Sequence, residues 1–109
     1  MVLCDLDCVI YFNHHNEVMN AELPVLVDFY ADWCGPCKMM SPIMDTLSTE
    51  LEGQAKICKI NVDDERELAA KYSVMSIPTM CIFKGGKVVD KIIGSLPKDT
   101  LEARLKSFI

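Results

Sequence analysis

The stretch that most constrains this chain runs from Pro24 to Met44, PVLVDFYADWCGPCKMMSPIM. Val25 to Tyr30 is apolar except for Asp28, which suits a central β-strand covered on both faces. Two cysteines follow in Cys34-Gly35-Pro36-Cys37, and after them Met39, Met40, Ile43, Met44 and Leu47 recur at helical spacing. A buried strand therefore delivers two thiols to the start of a helix. One helical turn separates them, close enough to bridge, and the N-terminal N–H groups and dipole favour a thiolate on Cys34. This pattern points to thiol–disulfide exchange.

Asp28 needs its own explanation, because an ionised, unpaired carboxylate inside an apolar strand costs several kcal/mol. It must carry a proton or find a partner, unless the strand lies at an edge with Asp28 facing water. Lys59 interrupts the later strand Ala55 to Val62 in the same way. A lysine there either faces solvent or sits near Asp28.

Val2-Leu3 is an edge strand or a lead-in, Cys8 to Phe12 is the better strand, and Asn13 caps a short helix through about Asn20. The helix after the cysteines runs to about Glu50, with Pro42 inside it. Asp63 and Asp64 precede another helix through about Tyr72, with acidic residues in its first turn complementing the dipole. Thr79 to Phe83, the turn Lys84-Gly85-Gly86-Lys87 and Val88 to Ile93 form a hairpin. Pro97 falls in the first turn of a final helix that carries Leu101, Leu105 and Phe108. Together these give an α/β fold: a mixed five-stranded sheet with helices on both faces.

At 109 residues the chain is expected to be one domain, residues 1–109. Its net charge of -5 offers nothing to attract nucleic acid or an anionic membrane. Six acidic residues precede the first basic one, Lys38, so no basic region of a secretory leader follows Met1. No apolar run reaches membrane-spanning length. The expected location is the cytoplasm. Six cysteines could make a disulfide scaffold, but Cys4, Cys8, Cys58 and Cys81 are scattered through apolar segments. Cys58 and Cys81 read as small apolar fillers, whereas Cys4 and Cys8 are the accessible pair. One CxxC supplies two metal ligands, and the adjacent His14 and His15 diverge, so no metal site is expected.

Ala31-Asp32-Trp33-Cys34-Gly35-Pro36-Cys37-Lys38, with Asp28 before it and Pro42 after it, resembles the active-site segment of the thioredoxin family. Asn61-Val62-Asp63, Ile77-Pro78-Thr79 and the hairpin with Gly86 and Gly94 follow in that family's order. The resemblance implies a thioredoxin fold and a protein dithiol–disulfide oxidoreductase with no bound cofactor, re-reduced by an NADPH-dependent thioredoxin reductase and acting on disulfide-containing target proteins. Cys34 would be the exposed nucleophile and Cys37 the more buried resolving thiol. Asp28, assisted by Lys59, would handle the proton of Cys37. Trp33, Gly35, Pro36, Met75, Ile77, a cis Pro78, Gly86 and Gly94 would meet the target. Attack by a thiolate and later deprotonation of the partner call independently for a base within the protein, and Asp28 is the candidate.

Tyr30 replaces the Trp or Phe common in the family, Met75 stands where a basic or polar residue is usual, and His14 falls near a usual aromatic. Two other functions fit the same residues: a binding or structural subunit whose cysteines serve a dedicated complex rather than many substrates, and an oxidase or isomerase using the pair as an oxidant.

Overall fold

The structure, a computed structural model, describes residues 2–3, 23–85 and 87–109. The expected strand Cys8 to Phe12 and the helix from Asn13 to Asn20 lie outside these residues, as do Cys4, His14 and Gly86. The strands are β1 (Val2–Leu3), β2 (Val25–Tyr30), β3 (Lys56–Asn61), β4 (Thr79–Lys84) and β5 (Lys87–Ile93). The helices among the described residues are α1 (Gly35–Glu50), α2 (Arg66–Lys71) and α3 (Lys98–Lys106).

The sheet order is β1-β3-β2-β4-β5. β1 and β2 both run parallel to β3, whereas β4 is antiparallel to β2 and to β5. β2 is therefore central, and the edge-strand reading of Asp28 falls away. Val2–Leu3 is the edge strand beside β3.

Alternation along each strand sorts side chains to two faces. Leu26, Ile57, Met80, Ile82 and Ile92 pack with Met40, Met44 and Leu47 of α1 and with Leu101 and Leu105 of α3. On the opposite face Val25, Val27, Phe29, Cys58, Ile60, Cys81 and Phe83 pack with Leu68 and Tyr72. Helices thus cover both faces. Cys58 and Cys81 are buried free thiols within this second layer, as expected of small fillers. By the same alternation Asp28 and Lys59 join the α1 face, where β2 and β3 place them directly opposite one another.

Two helix entries show how the sequence sets them. α2 begins at Arg66, after Asp63 and Asp64 as expected, and Asn61 holds the backbone that leads into it. Its Oδ1 accepts from the Asp63 N–H at 2.9 Å, and its carbonyl accepts from the N–H groups of Asp64 and Glu65 at 3.1 and 3.0 Å. The first of these bonds closes an Asx turn, and the other two form the backbone turn that leads into the helix. Pro97 occupies the N-cap of α3, one residue outside the first turn. Its ring still fixes a φ of -59° at the helix entry.

Candidate active site

α1 begins at the sheet end where β2 stops, and the connection Ala31–Trp33 sets Cys34 at its N-cap. The Cys37 N–H donates to the Cys34 Sγ at 3.1 Å, so a sulfur fills the capping role usually taken by oxygen. Pro36 suits the first turn because a helix start does not need its missing N–H. Cys34 and Cys37 form a disulfide, with their Cα atoms 5.3 Å apart. Both are covered in this closed state: Cys34 is 5% exposed and Cys37 3%, so the contrast in accessibility implied by the family resemblance is slight. Gly35 and Pro36 between them are exposed.

Trp33 stands out beside the disulfide, 71% exposed, and its indole Nε1 donates to Asp63 Oδ2 at 3.0 Å. Asn61 supports this arrangement from beneath, donating through Nδ2 to Asp32 Oδ2 at 3.5 Å while holding the Asp63 N–H. Asn61 and Asp63 thus orient Trp33, a role the sequence reading did not assign to them. The usable signal was Asn-x-Asp at the end of a strand, a turn-forming pair.

On that side a groove of about 360 Å³ is lined by Trp33, Val62, Val74, Met75, Ser76 and Ile77. Met75 projects from its lip, 93% exposed. The Ile77–Pro78 bond is cis, and the Pro78 carbonyl accepts from the Gly94 N–H at 2.8 Å. This hydrogen bond continues the β4–β5 register by one pair beyond Thr79 and Ile93, and Gly94 has a φ of +96°, a region that favours glycine, where the strand ends. The structure therefore brings Trp33, Met75 and Ile77 together around one groove and ties Gly94 to Pro78 beside Ile77. Gly86 lies outside the described residues.

Behind the disulfide a second cavity of about 300 Å³ is lined by Tyr30, Ala31, Asp32, Cys37, Lys38, Ser41 and Lys59. Asp28 is fully buried, and neither carboxylate oxygen has a hydrogen-bond partner among the described residues. Burial pushes its pKa up to about 7, against the opposing pull of the Lys59 ammonium. Of the two ways to accommodate a buried acid, holding a proton is the one this environment favours. Lys59 is half-buried, near Asp28 in register rather than turned wholly to solvent. Its Nζ donates to Ser41 Oγ at 3.2 Å and lies 4.5 Å from the centre of the Tyr30 ring.

A family model described as Thioredoxin matches residues 8–107, nearly the whole chain. The chain belongs to the thioredoxin family.

Relatives agree with that placement. The chain is 54% identical over 93 residues to a thioredoxin of Porphyra purpurea, covering 85% of this chain and 87% of that one. A thioredoxin of Synechocystis is 47% identical over the same shares. The chloroplastic M-type thioredoxin of Zea mays is 46% identical over 97 residues, covering 89% of this chain and 58% of that protein. The Cys34–Cys37 pair accordingly carries the thiol–disulfide oxidoreductase activity of the thioredoxin family. Among the described residues no three His, Cys, Asp or Glu side chains are grouped to hold a metal, and no helix is long and apolar enough to cross a membrane.

Proposed function

We propose that this thioredoxin-family protein is a single-domain reductant of disulfides in other proteins. The observation that carries the reading is a closed Cys34–Cys37 pair set between an apolar groove and a cavity shared by Cys37 and Lys59. In the reduced protein the Cys34 thiolate, favoured by the helix N-terminus, attacks one sulfur of a target disulfide. A Cys34–target bond forms, the target S–S bond breaks, and the departing target thiolate takes a proton. Cys37 then gives its proton to the Asp28 carboxylate, and its thiolate attacks Cys34 and expels the second target thiol. The product is the disulfide described above.

Asp28 suits this exchange because an acid titrating near neutrality can both accept and return a proton there. Lys59 favours its ionised form. Trp33, Met75 and Ile77 would hold the target chain in the groove, Gly35 and Pro36 would lie beneath it, and Pro78, Gly86 and Gly94 would complete the docking surface. Lacking an N–H, Pro78 leaves the backbone of Ile77 to pair with an extended target strand.

Electrons would come from NADPH through thioredoxin reductase, and a reducing compartment suits that supply. We propose the cytoplasm; relatives named as chloroplastic make a plastid the alternative that imaging of a tagged chain would reveal. Insulin reduction tests the function, first with dithiothreitol and then with NADPH and a thioredoxin reductase. Turnover should be lost in Cys34→Ser, and activity surviving that substitution would refute the mechanism.

A further inference from the structure

A lysine ammonium on a flexible stem normally swings into water, which hydrates it strongly. Lys59 does not. It emerges from β3 directly opposite Asp28 and is held by groups from two other elements: Ser41 Oγ of α1 at 3.2 Å, and the ring of Tyr30 at the end of β2, 4.5 Å from Nζ. Ser41 lies one helical turn beyond Cys37, and Tyr30, Cys37, Ser41 and Lys59 line the same cavity. The charge is thus tied to the helix that carries the resolving thiol.

We propose that Ser41 and Tyr30 are positioning residues which hold the Lys59 ammonium in the cavity beside Cys37, and so set how readily Asp28 accepts and returns the proton of the resolving step. The proposal rests on the proton-transfer role given above to Asp28. Its physical basis is that an ammonium's pull on a carboxylate weakens with distance and with intervening water. A lysine free to leave the cavity exchanges a fixed, poorly screened charge for a solvated one.

The other groups on this face leave that part to Lys59. Opposite Asp28 on β4 stands Met80, which is uncharged. From α1 the cavity receives Cys37 and the exposed Lys38, and from the β2–α1 connection the exposed Asp32, which accepts from Asn61. Tyr30 presents its ring face, which attracts a cation without needing a charge of its own. Ser41 supplies an acceptor that an alanine would lack.

The test is a titration of the whole oxidised chain, labelled with carbon-13 at its aspartate carboxyls, comparing wild type with Ser41→Ala, Tyr30→Leu, Tyr30→Phe and Lys59→Met. Ser41→Ala and Tyr30→Leu should each raise the Asp28 midpoint by about half a pH unit, equivalent to a ~3-fold loss in its ionisation constant. Lys59→Met should raise it at least as far, and Tyr30→Phe, which keeps the ring face, should leave it in place. In single-turnover reactions near neutral pH, Ser41→Ala should slow release of the second target thiol ~2-fold and leave the first attack unchanged, recovering at alkaline pH. If Lys59→Met moves the midpoint while Ser41→Ala and Tyr30→Leu do not, the clamp is refuted and the role of Lys59 stands. If Lys59→Met leaves it unmoved, the coupling of Lys59 to Asp28 fails and the clamp fails with it. Should Tyr30→Leu not fold, Ser41→Ala decides alone.

Discussion

Asp28 makes stability depend on pH in a direction opposite to that of most carboxylates. Its pKa lies near 7 in the folded protein against an ordinary 3.8, because burial disfavours the charged form. An unfolded chain gives up this proton at low pH while the folded one keeps it, so the folded state binds more protons between the two values. Stability from this group is therefore complete below the unfolded pKa and is lost progressively as pH rises toward 7, beyond which the loss is constant. At 1.36 kcal/mol per pH unit, a rise of about three amounts to about 4 kcal/mol. Roughly two of those three lie between about pH 5 and pH 7, which corresponds to a loss of about 3 kcal/mol from pH 5 to pH 8.

Asp28→Asn removes the titration and keeps the size and polarity. Urea unfolding of the oxidised protein and this variant, at about pH 5 and pH 8, isolates the contribution of the carboxyl, because amide burial enters equally at both values. Relative to wild type, the Asp28→Asn variant should gain about 3 kcal/mol in going from the acidic to the alkaline condition. A difference between the proteins that stays constant across that range would show that Asp28 titrates in its ordinary range and that its environment has been misread.

Met75→Ser, which removes an apolar side chain from the groove lip, should raise the KM for protein disulfides several-fold with little change in kcat, read in steady-state reduction assays. Leu47→Ala, at a fully buried position between α1 and the sheet, should cost about 3 kcal/mol in urea unfolding. The reduction potential of Cys34–Cys37, measured against glutathione, should be low enough to reduce ordinary protein disulfides; a strongly oxidising value would favour an oxidase or isomerase.

Much of the fold was legible because its principal signals are local. The apolar run of β2 announced a central strand, the methionines after Cys37 marked the buried stripe of α1, and paired glycines between two apolar segments marked the β4–β5 turn. Burial of Asp28 could be inferred from its neighbours in sequence. Whether it was paired could not, since that depended on what Lys59 did with its ammonium.

The features that escaped sequence reading involve side chains acting across elements. Asn61 shapes the turn ahead of α2 by accepting from backbone donors and also bonds Asp32 in the loop that carries Trp33. Nothing in its immediate neighbours shows both acts. Ser41 reads as an ordinary helix residue until β3 brings Lys59 within 3.2 Å of it. That meeting depends on the pairing of β2 with β3 and on the rotation of α1, neither of which follows from either residue alone.

The central claim is that Cys34 makes the first bond to a target and Cys37 resolves it. Trapping tests this most directly: Cys37→Ser, reduced and mixed with a disulfide-containing protein, is resolved on a non-reducing gel and the linked sulfur is mapped by mass spectrometry. A stable mixed disulfide should form at Cys34, released by dithiothreitol and absent when Cys34 is also replaced. A target linked through any other cysteine, or no adduct while the variant still reduces its target at the wild-type rate, would contradict it.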